Sequence, residues 1–143
     1  RTEHLSSHAG QIAFPGGKID ATDASPMDAA LREAEEEVGL KREFIEPIGY
    51  LDVYGTAFGF RILPTVARVK PGFKLTINEY EVDDAFEVPL EFVLDARNHL
   101  PRDRSIAGHT VITHEIPYEG RQIWGATASM LITFARLLRE VQT

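Results

Sequence analysis

A chain of 143 residues carrying 15 Lys and Arg against 22 Asp and Glu, a net charge of −7 and 43% hydrophobic residues has room for one core and is too apolar for a disordered polymer. The absence of cysteine excludes disulfide staples, thiolate metal sites and a cysteine nucleophile. The acidic balance argues against a general nucleic-acid binder, because phosphate neutralisation needs a basic face.

The chain opens at Arg1 rather than at Met, so the natural protein is expected to be longer, with a strand before Arg1. One domain over residues 1–143 is expected. Residues 10–17 read as a short strand running into a tight Pro-Gly-Gly turn, where Gly16 and Gly17 permit approaches that a Cβ would forbid. A helix is predicted from Ser25 to Gly39. Ser25 is its N-cap, Pro26 its first residue, Asp28 the partner in a capping box and Gly39 its stop.

Residues 47–54 and 60–69 are predicted strands joined by a glycine-bounded hairpin link over 55–59. A loop over 71–80 precedes a strand over 81–88, and Pro89 opens a short helix over 90–95. A polar stretch over 98–108 leads to a strand over 110–118, a Glu119-Gly120 turn and a short strand over 122–124. The last helix, 126–141, carries Ala128, Leu131, Ile132, Ala135 and Leu138 at three- and four-residue spacing. No apolar run approaches the roughly 20 residues that span a bilayer, and a cytoplasmic location is expected.

The chemistry concentrates in the first helix, where four glutamates fall within five residues, 33–37. At about 100° per residue Glu33, Glu36 and Glu37 share one face while Glu35 points away. Met27, Ala30, Leu31, Ala34 and Val38 form an apolar sector about 120° from Glu33. Like charges at this spacing repel, and a divalent cation removes the cost, since carboxylate oxygens are what Mg²⁺ or Mn²⁺ prefers. For an isolated acidic helix a solvated face is the commoner case. The Gly-Gly turn upstream and Arg32 beside the acids favour the metal reading.

The stretch from Gly17 to Leu40 resembles the Nudix box, whose general form is G-x5-E-x7-R-E-U-x-E-E-x-G-U with U aliphatic. Arg32, Glu33, Ala34, Glu36, Glu37, Gly39 and Leu40 fit its second half without a gap. Asp23 stands at the position of the first glutamate, and eight residues rather than seven separate it from Arg32. Asp23 is given no metal role on that basis, and the extra residue is expected to lengthen the loop.

The resemblance implies the Nudix fold, an α/β/α sandwich with a mixed curved sheet between the catalytic helix and a C-terminal helix. It also implies hydrolysis of a pyrophosphate bond with Mg²⁺ or Mn²⁺ held by Glu33, Glu36 and Glu37, and with Arg32 orienting Glu33 or another of these carboxylates. Several Nudix enzymes place a catalytic glutamate in a loop-to-strand region, so Glu79 and Glu81 are candidates, with a solvated loop as the alternative. The implied partner is a small nucleotide, with no nucleic acid or membrane, and a monomer or homodimer is expected.

The segment from Arg1 to Gly17 is similar to the one that marks coenzyme A pyrophosphatases, L-L-T-x-R-S-x3-R-x3-G-x3-F-P-G-G. Arg1, Gly10, Phe14, Pro15, Gly16 and Gly17 match it, whereas Ser6 stands where that branch has its second Arg. Residues 55–60 with Pro64, and 123–128, resemble the same branch. The implied substrate-binding residues are Arg1, Gly16, Gly17 and Phe60. The implied substrate is coenzyme A or an acyl derivative, cut to 3′,5′-ADP and a phosphopantetheine. The rivals are ADP-ribose or a nucleotide sugar, and a Nudix-fold binding module without turnover. His8 is read as a turn residue, Trp124 as core rather than a base-stacking platform, and Lys41 and Arg42 as cations at a helix C-terminus.

Overall fold

The computed structural model describes residues 1–2, 11–56 and 59–142. Among these residues the chain mixes helices and strands, in keeping with the expected α/β class, with a first helix and a 3₁₀ turn, four strands, two short helices, three strands and a last helix in order. They fall into two compact units, Arg1–Val53 with Leu63–Phe86, and Tyr54–Ile62 with Glu87–Thr143. Strand pairing among the described residues is antiparallel throughout, in four ladders that form three small sheets. Among the same residues no helix is long and apolar enough to cross a membrane.

The first unit is organised by helix α1, Pro26–Val38. The Ser25 hydroxyl accepts from the Asp28 nitrogen at 3.1 Å, and Pro26 occupies the first turn, where its missing N–H costs nothing. The reciprocal half of the predicted capping box gives way to another partner, because the Asp28 carboxylate faces Arg42 at 3.2 Å. Arg42 is thus an ion-pair partner of Asp28 rather than a plain helix-end cation. At the other end Gly39 takes φ 70°, and the nitrogens of Gly39 and Leu40 reach the carbonyls of Glu35 and Ala34.

Strands β1, Ile45–Tyr50, and β4, Thr65–Val69, pair with a bulge between Pro47 and Gly49 and lie beside α1. The bulge is where a proline without an N–H is tolerated inside a strand. Residues 11–17 form no strand, since Pro15 has no N–H to donate and the two glycines add no side chain to pack. The predicted strand over 81–88 is also absent. Asn78 turns the chain locally, its carbonyl accepting from the nitrogens of Glu81 at 3.0 Å and Val82 at 2.9 Å, and local bonds of this kind compete with a ladder.

In the second unit β2, Tyr54–Gly55, and β3, Arg61–Ile62, form the predicted hairpin. Helix α2, Leu90–Leu94, starts after Pro89 as expected. The polar stretch that was expected to be a connector is strand β5, Leu100–Ile106. It pairs with β6, His109–Tyr118, through Ala107 and Gly108, both at positive φ, which is the geometry of a two-residue hairpin turn. Its two arginines, Arg102 and Arg104, pair across the strands with Glu115, which stabilises a sequence without apolar alternation. Glu119 and Gly120 repeat that turn before β7, Arg121–Trp124. Helix α3, Gly125–Gln142, lies against β6 and β7, with Ile116, Ile123, Ala128 and Ala135 all at or below 2% exposure.

Candidate active site

Helix α1 buries a different line than its apolar sector alone suggests. Ala29, Ala34 and Glu37 are the buried residues, whereas Met27, Ala30, Leu31 and Val38 are only half-buried. Small alanines flank the Glu33–Glu37 edge, so neighbouring chain closes over that edge and takes carboxylates with it. The three acids predicted to act together are therefore unlike. The Glu37 residue is 9% exposed, while the Glu33 and Glu36 side chains are 16% and 56% exposed.

Arg32 organises the outer part of this edge. Its Nε and Nη2 donate to the two oxygens of Asp23, each at 3.0 Å, in a bidentate fork. Nη1 reaches Glu33 Oε1 at 2.9 Å and Glu36 Oε2 at 3.5 Å, and Nη2 also donates to the Lys18 carbonyl at 3.3 Å. Asp23 sits in a tight turn, with its nitrogen bonded to the Asp20 carbonyl at 3.0 Å and its Oδ2 accepting from the Asp20 nitrogen at 2.7 Å. The Arg32 guanidinium, followed by the Asp20 backbone, holds the Asp23 carboxyl below its ordinary range, while Asp23 and then Glu33 raise Arg32 in turn. The sequence reading gave Asp23 no function. Its place at the first acidic position of the motif was the available signal.

Gly17 closes the cradle from the other side. A Cβ built there would stand 2.7 Å from Glu33 Oε1 and 2.9 Å from its carboxyl carbon. Relieving that clash would draw the Glu33 carboxylate off the Arg32 guanidinium that holds it. Gly16 differs, since a Cβ there would meet only the Phe14 carbonyl at 4.0 Å.

Glu37 is pushed up to about 7, mainly by burial, then by a hydrogen bond with Glu33 and by the negative charges of Glu33 and Glu81, with Arg1 pulling the other way. Arg1 and Glu81 thus stand within electrostatic reach of the helix. Arg1 Nε is buried without a hydrogen-bond partner among the described residues. Glu81 is half-buried, whereas Glu79 is exposed.

The segment carrying them is fastened by main-chain bonds. Thr76 and Asn78 nitrogens donate to the Val38 and Glu37 carbonyls at 2.8 and 2.9 Å, and the Thr2 nitrogen donates to the Glu81 carbonyl at 3.1 Å. Phe60 is 55% exposed and belongs to the second unit. Ser6 and His8 lie outside the described residues. Trp124 is half-buried and carries the Arg104 guanidinium over its ring rather than standing wholly in the core.

Among the described residues no group of three or more His, Asp or Glu side chains stands gathered as a cage for a metal ion. The donor chemistry nonetheless fits a hard cation. Oxygen donors lie along one helix edge, burial and then their mutual repulsion raise Glu37, and Mg²⁺ is commonly held by one or two carboxylates plus water and substrate rather than by an all-protein cage.

The NUDIX domain family matches residues 1–108 of this chain. A protein of Salmonella paratyphi B named "Uncharacterized Nudix hydrolase NudL" is 40% identical over 131 residues, spanning 92% of this chain and 68% of its own. Proteins of the same name from Salmonella newport and Salmonella heidelberg match to the same extent.

Proposed function

Since the chain belongs to the Nudix family and is a pyrophosphohydrolase of nucleoside diphosphate derivatives, we propose that its substrate is coenzyme A or an acyl-coenzyme A, cut to 3′,5′-ADP and a phosphopantetheine. The reading of the site rests on one observation above all, the Gly17 cradle around a Glu33 that Arg32 and Asp23 hold in place. The reading of the substrate rests on the spacing of Arg1, Gly10, Phe14, Pro15, Gly16 and Gly17.

Glu33, Glu36 and Glu37 would hold the divalent cation, Mg²⁺ or Mn²⁺. When bound, that cation offsets the negative charge that develops on the pyrophosphate as it is cleaved. The chain's own residues supply orientation and proton handling. Asp23 fixes Arg32, and Arg32 fixes Glu33, so the carboxylate is placed before substrate arrives. Arg1 brings positive charge to the same edge, suited to a phosphate.

Glu81 is the better candidate for accepting the proton of the attacking water, because it is half-buried and its charge is felt at Glu37, while Glu79 is exposed. The test is incubation with Mg²⁺ and a panel of coenzyme A, ADP-ribose and dinucleoside polyphosphates, with products identified by mass. Release of 3′,5′-ADP at the highest kcat/KM of the panel is expected. A higher kcat/KM for ADP-ribose would replace coenzyme A as the substrate, and no turnover of any member would reduce the protein to a binding module.

A further inference from the structure

The second unit carries a charged cluster of its own, on residues to which the α1 site assigns no role. In antiparallel pairing, residues directly opposite one another point to the same face, as do alternate residues along a strand. The registers Arg102↔Thr113, Arg104↔Val111 and Glu115↔Trp124 therefore put Arg102, Arg104, Thr113, Glu115 and Trp124 on one face of the β5–β6–β7 sheet. Ile116 and Ile123 occupy the other face and are almost wholly buried.

Glu115 is 6% exposed and forms ion pairs with both arginines. Arg104 Nη2 donates to its Oε1, and Arg102 Nε stands 3.4 Å from its Oε2. One guanidinium would neutralise one carboxylate, so this face keeps one positive charge in a protein of net charge −7.

Arg104 is held twice, at its tip by Glu115 and across its plane by Trp124, whose ring centroid lies 4.1 Å from the guanidinium carbon. Such a cation has already lost the side-chain freedom that a bound anion would otherwise have to remove. Two potential donors here, Arg104 Nε and Thr113 Oγ1, are buried and have no hydrogen-bond partner among the described residues. Arg102 adds a guanidinium whose side chain is 49% exposed.

We propose that this face of the β5–β6–β7 sheet, with Arg102, Arg104 and Thr113 as its donors, is an anion-binding site for a phosphate group. The ligand supplies the acceptors that the buried donors lack and balances the unmatched charge. Glu115 does not oppose it, because its carboxylate is already neutralised by the pair. A phosphate is favoured over a carboxylate because its oxygens can accept from two guanidiniums and a hydroxyl together.

Trp124 is the sole tryptophan of the chain, so its emission reads this site directly. The experiment titrates the protein with inorganic phosphate in EDTA, against sodium chloride and acetate at matched ionic strength, following tryptophan fluorescence and, in parallel, calorimetric heat. Saturable phosphate binding is expected, weakened about tenfold in Arg102→Gln and several-fold in Thr113→Val, with both variants melting as the parent does. The EDTA separates this result from any outcome of the turnover panel. Absence of saturable binding by both readouts, affinity in the two variants unchanged from the parent, or tighter binding of acetate would each overturn the proposal.

Discussion

The first and second units each contain a knot of ionic groups, and the two are built with opposite stoichiometry. On α1 one guanidinium, Arg32, serves Asp23, Glu33 and Glu36, with Glu37 buried alongside. On the β5–β6–β7 sheet one carboxylate, Glu115, serves Arg102 and Arg104. The first knot is left short of positive charge and the second short of negative charge. The contrast separates two uses of a salt bridge. Each fixes geometry, and the charge left over decides what kind of ligand the fixed geometry suits.

Neutral substitutions should move the two knots in opposite directions. Glu36→Gln is expected to lower kcat by roughly 10²–10³-fold, the scale of losing one electrostatic contributor, while the melting temperature without metal holds or rises because a repelling charge has gone. Mg²⁺-dependent rates close to those of the parent would remove Glu36 from the site. Gly17→Val places a branched side chain against the pinned Glu33 carboxylate and should cost about 10²-fold in activity, as a small misplacement of a reacting group does. Gly16→Ala, whose Cβ meets only the Phe14 carbonyl at 4.0 Å, should cost far less than Gly17→Val in kcat/KM. If the two glycine variants behaved alike, the turn would be a connector and not a cradle.

In the second knot Glu115→Gln leaves two guanidiniums without a counter-charge. A loss of about 2 kcal/mol is expected in denaturant unfolding, below the full cost of breaking a buried pair because both arginines are partly solvated. A stabilised Glu115→Gln protein would erase the contrast between the knots.

The smallest effect concerns pH. Glu37 sits at about 7 in the fold against an ordinary 4.5, so the folded state binds its proton more tightly than the unfolded state does. That contribution to stability is fully present below about 4.5 and is lost as pH rises to about 7. Asp23 is held below its ordinary 3.8 and titrates outside this window. In EDTA the melting temperature should fall by a few degrees across that range, and excess Mg²⁺ should flatten the fall. A melting temperature that rises with pH in EDTA would contradict the burial of Glu37.

Much of α1 was legible because its signals are local. Ser25, Pro26 and Gly39 each act within one turn, and the run 32–37 gives a face by periodicity alone. Periodicity treats Glu36 and Glu37 as equivalents. Packing does not, and only the closure of chain over Ala29 and Ala34 buries one and exposes the other. Asp23 was hidden by its spacing, since the additional residue is absorbed by the 20–23 turn and the carboxylate still meets Arg32. Strand β5 was hidden by its charge. Arg102 and Arg104 look like loop residues until the register shows Glu115 within their reach.

Thr76 and Asn78 dock on the last carbonyls of α1 through their main-chain nitrogens, and Gly39 leaves room for Thr76, whose nitrogen and oxygen would both lie 2.8 Å from a Cβ at that position. Every residue type except proline carries such a nitrogen. The address of the 76–82 segment is thus written in groups that substitution rarely alters, while the side chains at Glu79 and Glu81 are left to vary. A lineage could exchange its proton acceptor, or dispense with one, without redrawing the joint that presents it.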